Sequence, residues 1–251
     1  MIAQSLSAKA AALNETTAAL TPQARLAALR EALPGRIVFT TSFGIEDQAI
    51  SHMIASAGLD IEFATLDTGR LFPETYTLWQ QTEARYDLRI ASYNAHSNDL
   101  ESLVRKQGVN GFYASVEARK ACCEVRKVIP LARALQGAAG WITGLRADQS
   151  DHRGELSFVT YDAARNLIKL NPIFDWTRAA ALAFTQRENI PVNPLHDKGF
   201  LSIGCAPCTR ALKPGEPERA GRWWWEDEAQ KECGLHVSAD GRLVPRKGLT
   251  P

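Results

Sequence analysis

The sequence predicts an α/β fold built on a doubly wound, mostly parallel sheet. Three observations carry this. Short apolar runs alternate with stretches of helical periodicity. The helical stretches stand between successive strands, as crossovers between parallel neighbours must. The 251 residues are 45% hydrophobic and 23% charged, an ordinary globular composition for one large domain or two small ones.

Each element has its own signal. Thr21 before Pro22 is a helix start: a capping hydroxyl, then a proline where its missing N–H is harmless. Leu26, Leu29 and Leu33 follow at helical spacing, and Pro34-Gly35 ends the run. Ile37-Val38-Phe39 is the first strand. Ala49, Ile50, Met53, Ile54 and Ala57 form the next helical stripe, closed by Gly58. Residues 60–66 read as the second strand, Pro73 opens a helix to about residue 85, and residues 88–92 are the third strand. Helices near 98–107 and 115–136 follow, then a fourth strand at 141–144. Residues 156–170 alternate well enough for two further strands, as a hairpin or an edge, and 175–189 is an alanine-rich helix. Beyond it Pro191, Pro194, Pro207, Pro214 and Pro217 break regular structure, so an irregular C-terminal segment is expected. Sheets of this kind bind ligands at the carboxyl ends of their strands, which points to the loops 42–47, 67–71 and 144–153.

Charge and hydropathy exclude several classes. Lys and Arg number 29 against 28 Asp and Glu, a net charge of +1, without the basic excess of a nucleic-acid binder. No apolar run approaches the roughly 18 residues needed to span a membrane. The N-terminus lacks the basic start and apolar run of a secretory signal, so a reducing, cytoplasmic setting is expected.

Five cysteines then need explaining: Cys122-Cys123, Cys205-Ala-Pro-Cys208 and Cys233. Neighbours cannot pair readily, because adjacent Cα atoms lie about 3.8 Å apart where disulfides want roughly 4.4–6.8 Å. Two small buried hydrophobes on a helix are the plain alternative for the first pair. Cys205-x-x-Cys208 sits in a Gly/Pro-rich turn suited to aiming two thiolates at a metal, with a redox dithiol as the rival. Together the pairs supply four thiolates, enough for a tetrahedral zinc or a four-iron cluster. Adjacent ligands are unusual for zinc, which favours iron–sulfur. Arg119, Lys120, Arg126, Lys127 and Arg133 surround the first pair against Glu124 alone. Such charge could be a solvated helix face, or it could offset thiolates and hold an anionic substrate. Cys233 lies between Lys231 and His236, cations that favour the reactive thiolate.

Several long stretches in one order carry a resemblance. They are residues 41–47 (TSFGIED), 66–75 (LDTGRLFPET), 122–127 (CCEVRK), 143–150 (TGLRADQS), 202–210 (SIGCAPCTR), 218–226 (ERAGRWWWE) and 231–236 (KECGLH). From about Ile37 to His236 the chain resembles the assimilatory adenylyl-sulfate (APS) reductases of the APS/PAPS reductase family. The resemblance implies an adenine nucleotide alpha hydrolase-like, Rossmann-like sheet and one reductase domain over 1–236. Residues 1–35 would be a helical lead-in, about 226–236 a mobile catalytic tail, and 237–251 a tail without assigned role.

It further implies that Cys233 attacks the sulfate sulfur of adenylyl sulfate, giving AMP and an S-sulfocysteine that thioredoxin or a glutaredoxin-like protein resolves. Cys122, Cys123, Cys205 and Cys208 would hold one [4Fe–4S] cluster, whose presence goes with adenylyl sulfate rather than the 3′-phosphorylated nucleotide. By motif match, the substrate would be bound by Ser42, Phe43, Gly44, Leu66, Asp67, Thr68, Gly69, Arg70, Lys127, Gly144, Arg146, Arg219, Arg222 and His236. A homo-oligomer is expected. Trp223-Trp224-Trp225 is read as packing. Residues 42–47 occupy the position of the phosphate loop of ATP-cleaving ligases. Their single glycine offers fewer open amides than a triphosphate needs. A PAPS reductase and, more remotely, a non-catalytic zinc- and nucleotide-binding module are the alternatives.

Overall fold

Strand β1 (Ile37–Thr41) is buried on both faces, as its unbroken apolar start requires. Ile37 and Phe39 join a core with Leu26, Ile50, Met53, Leu78 and Phe184. Val38 faces a second core with Ala64, Leu131 and Trp141. The computed structural model describes residues 2–149 and 157–226. Around β1 lie β2 (Glu62–Asp67), β3 (Ala91–Asn94), β4 (Gly140–Ile142), β5 (Val159–Asp162) and β6 (Leu167–Leu170), in the order β3-β2-β1-β4-β6-β5. The pairs β1–β2, β1–β4, β2–β3 and β4–β6 are parallel, and β5–β6 is antiparallel. Residues 156–170 thus hold the expected hairpin, at the sheet edge.

Among the described residues eight α-helices accompany the strands: α1 (Ile2–Thr17), α2 (Pro22–Ala32), α3 (Ile45–Ser56), α4 (Pro73–Tyr86), α5 (Ser97–Gln107), α6 (Val116–Cys123), α7 (Ile129–Ala134) and α8 (Arg178–Arg187). The Thr21 hydroxyl caps α2 by accepting from the Ala24 N–H at 3.3 Å. Helix α1, which carries no motif, buries Ala10 and Leu13 in the main core, and its Asn14 accepts from the Val159 N–H of β5.

Three of the differences from expectation have local reasons. The third strand starts at Ala91 rather than residue 88, because Asp87 takes a left-handed cap conformation after α4 and the Ile90 N–H donates to Glu83 Oε1. The fourth ends at Ile142: the Thr143 N–H still donates to the Leu170 carbonyl of the neighbouring strand at 3.0 Å, and its hydroxyl donates to Asn171 Oδ1 at 2.6 Å. The single helix expected over 115–136 is α6 and α7 joined by a π-turn, Glu124–Val128, directly after Cys123. Pro130 has no N–H to continue an α ladder, and it opens α7. The wider turn shifts Arg126 and Lys127 around the helix, and such turns recur at functional sites.

The topology places the site. From β1 the chain winds out through β2 to β3, then crosses to the other side of β1 to form β4. Where that direction reverses, the loops after β1 and β4 part and leave a crevice at the carboxyl ends of the strands.

Candidate active site

A cavity of about 230 Å³ occupies this crevice. Ser42, Phe43 and Gly44 line it from the end of β1, Leu66 and Thr68 from β2, and Gly144 from β4. Lys127 enters from the π-turn, and Arg219 and Arg222 from the irregular C-terminal segment. Nine of the motif-matched substrate residues therefore meet around one space.

One wall is acidic. Asp47, in the first turn of α3, accepts from the Ser42 N–H at 2.6 Å and the Ser42 hydroxyl at 2.7 Å. Burial pushes its carboxyl up to about 6, and the two Ser42 bonds only partly oppose this. Glu46 and Asp47 also face the positive end of α3, so that end is already matched by its own carboxylates. A side chain at Gly144 would collide with Asp47 Oδ1, so glycine is what lets the β4 loop approach. Phe43 holds a left-handed backbone (φ 61°) although its side chain is bulky, and it is buried and stacked on Trp79. Such conformations cost on the order of 1–3 kcal/mol and persist where surroundings enforce them.

The other wall is cationic and, through Cys205, adjoins the cysteines. Cys123, Cys205 and Cys208 form one buried cluster with Phe112 and Trp223, with Cys122 packed against it. All four are free thiols. The Thr68 hydroxyl lies 3.3 Å from Cys205 Sγ, the Ala206 N–H donates to the Arg70 carbonyl, and Tyr113 donates to the Pro207 carbonyl at 2.6 Å. Burial alone would raise the Cys205 thiol, but Lys127, Thr68, Arg222 and Arg126 outweigh it and hold it below its ordinary value. Burial and the neighbouring Cys205 push Cys208 up to about 12, and burial raises Cys122. A side chain at Gly204 would strike the Arg222 guanidinium, which packs over Trp223 and donates to the Ile203 carbonyl. Trp223 is itself left-handed (φ 43°) and almost wholly buried. Cys205 belongs to both features: it lines the cavity and sits in the cysteine cluster.

The remaining motif residues lie elsewhere. Arg146 does not line the cavity. It is fully buried behind the acidic wall, bonded to Glu46 at 2.8 Å, to Glu218 at 3.0 Å and to Asp148. Asp67, Gly69 and Arg70 shape the loop after β2: Asp67 accepts from the Gly69 N–H and the Tyr76 hydroxyl, and Arg70 donates to Asn110 and the Val109 carbonyl. Cys233 and His236 lie outside the described residues. The geometry adds Glu46, Asp47, Gln149, His196 and Glu218 to the lining. All but His196 fall inside the motif stretches, where charge alone did not mark them as facing the cavity. His196 comes from a short 3₁₀ turn (Pro194–Lys198) with no sequence signal. Its Nδ1 faces the Phe200 carbonyl at 2.7 Å, so it must be the protonated nitrogen, and burial lowers its pKa and keeps the ring neutral.

Comparison with known proteins gives the family. Residues 36–211 match the phosphoadenosine phosphosulfate reductase domain. The chain is 55% identical to an adenosine 5′-phosphosulfate reductase of Sinorhizobium fredii, over 98% of each chain. It is 53% identical to one of Agrobacterium fabrum, over 95% of this chain and 92% of that one. A third, from Allochromatium vinosum, is 51% identical over 80% and 78%. Among solved structures, a phosphoadenylyl-sulfate reductase of Candida auris in a phosphate complex aligns with a TM-score of 0.68 and 26% identity, covering 80% of this chain and 96% of that one. An FMN adenylyltransferase of Candida glabrata, with a TM-score of 0.50 and 15% identity over 95% and 88%, shares the fold. The matched segment contains the loops after β1 and β4, the π-turn and all four clustered cysteines, and the chain belongs to the phosphoadenosine phosphosulfate reductase domain family.

Proposed function

We propose that the protein reduces adenylyl sulfate to sulfite and AMP in assimilatory sulfate reduction. The observation that carries this is Cys205, through which the cationic wall of the cavity and the four-cysteine cluster are one structure. The names of these three relatives, each an adenosine 5′-phosphosulfate reductase, support the same reading.

Lys127, Arg219 and Arg222 draw the phosphosulfate to their wall and stabilise the charge that grows on the AMP phosphate as it leaves. The thiolate of Cys233 attacks sulfur. An S–S bond forms, the S–O bond to the phosphate breaks, and AMP departs with that electron pair. A dithiol protein, thioredoxin or glutaredoxin-like, then attacks the Cys233 sulfur, ends as a disulfide after giving two electrons, and frees sulfite.

Cys122, Cys123, Cys205 and Cys208 fit one [4Fe–4S] cluster. Four free thiols share one buried site, and Arg119, Arg126, Lys127 and Arg222 offset their charge. Among the described residues no three His, Cys, Asp or Glu side chains group as they would around a single ion. Adjacent cysteines such as Cys122 and Cys123 are unusual zinc ligands, which favours the cluster over zinc. When bound, the cluster supplies fixed charge beside the phosphosulfate and stays outside the path of the two electrons. Among the described residues no helix is long and apolar enough to cross a membrane. A cytoplasmic homo-oligomer, with neither nucleic acid nor membrane as partner, completes the reading.

Sulfite release from adenylyl sulfate and from its 3′-phosphorylated form, with thioredoxin and dithiothreitol, tests class and substrate together. Release from neither ends the proposal, and faster turnover of the phosphorylated nucleotide turns it into a PAPS reductase. Cys233→Ser is expected to abolish turnover and leave the cluster's visible absorbance intact.

A further inference from the structure

Arg119 lies one helical turn before Cys123 on α6, and its side chain is fully buried. It grips Glu226 with two hydrogen bonds, Nε to Oε1 at 3.0 Å and Nη2 to Oε2 at 2.7 Å. Its guanidinium lies over the Trp223 ring, 4.6 Å from the centroid, and it hydrogen-bonds Cys123. The Glu226 side chain is almost as deeply buried, at 3% exposure, and two charges are taken out of water only where geometry repays it. Glu226 also stands seven residues before Cys233. Seven residues reach at most about 25 Å, so whatever fixes Glu226 fixes the origin of the tether that carries Cys233.

The geometry points to Arg119 and Glu226 as positioning residues: their ion pair anchors the root of the nucleophile's tether to the helix that bears Cys122 and Cys123. The inference rests on the reading of Cys233 as the nucleophile. A fixed root raises the effective concentration of the thiolate at the bound sulfate, and a loose one lowers it without weakening nucleotide binding.

The test follows S-sulfocysteine formation on Cys233 by mass spectrometry, in single turnovers of the full-length, cluster-loaded protein at saturating adenylyl sulfate. AMP affinity and cluster absorbance are measured alongside. If wild type forms no such intermediate, the proposed function fails. Where it does, Glu226→Ala is expected to slow formation about tenfold, with Glu226→Gln between it and wild type, and AMP affinity and absorbance unchanged. The double variant Arg119→Met/Glu226→Met replaces the pair with apolar groups of similar size, a change often neutral for folding. It is expected to fold, bind AMP and remain slow. Wild-type rates in Glu226→Ala, or recovery of the rate in the double variant, would overturn the anchoring role and leave the nucleophile's assignment standing.

Discussion

The two walls of the cavity are built in opposite ways. The acidic wall begins as a local structure: β1, the loop 42–44 and α3 follow one another, and Asp47 binds Ser42 five residues away. The cysteine wall is assembled across the chain, with Thr68 on Cys205, Tyr113 on Pro207 and Arg119 on Glu226. Arg146 stitches a carboxylate of each region, Glu46 and Glu218, behind the site. A local wall can be shaped by its own turn. A dispersed one exists only while the whole fold holds its parts together, so damage to the stitch spreads and damage within the local wall does not.

The sharpest way to break this contrast is to cut the stitch. Arg146→Met leaves Glu46, Glu218 and Asp148 without their buried cation and is expected to lower stability by about 3–5 kcal/mol, read as the shift in a urea unfolding curve. Unchanged stability would mean that the walls stand independently.

Next comes a change confined to the acidic wall. The buried Asp47 carboxyl has a pKa near 6 in the folded chain, above the ordinary value of about 3.9. The native state therefore holds this proton more tightly than the unfolded chain. Its ionisation costs stability as pH rises from about 4 to 6, and the full cost, about 3 kcal/mol, is present above that. Asp47→Asn should gain on wild type across that window and run parallel to it above pH 7. Curves parallel throughout would mean that Asp47 ionises normally.

Within the cysteine wall, Lys127→Ala should reduce turnover about a hundredfold, the scale of losing one preorganised charge in a dry site, with little change in the unfolding midpoint. Equal kinetic constants would remove Lys127 from the chemistry. Smallest is a control away from both walls: Arg89, 90% exposed and paired with Glu83, should change stability by less than about 0.5 kcal/mol on replacement by Ala.

Much of this is legible in the sequence. The strand–helix alternation and the Pro/Gly interruptions located the sheet, the edge hairpin and the irregular C-terminal segment. The two cysteine pairs and the ordered motifs pointed to the residues that meet at the crevice. The direction of individual side chains was not legible. Arg146 and Arg219 lie in similar charged motifs, yet one is sealed behind the wall by three carboxylates and the other lines the cavity. The π-turn was invisible because Glu124–Val128 has ordinary helical composition, and only packing of the following Pro130 and the site around Arg126 selects it.

Composition, spacing and motif order alone determined the fold class, the family and the four cysteines, because each is written in local periodicity or in consecutive residues. Tertiary structure decided which side chains face the cavity, why the Asp47 carboxyl titrates above its ordinary range and what secures Glu226. Burial and the pairing of distant charges arise only when segments a hundred residues apart are packed together.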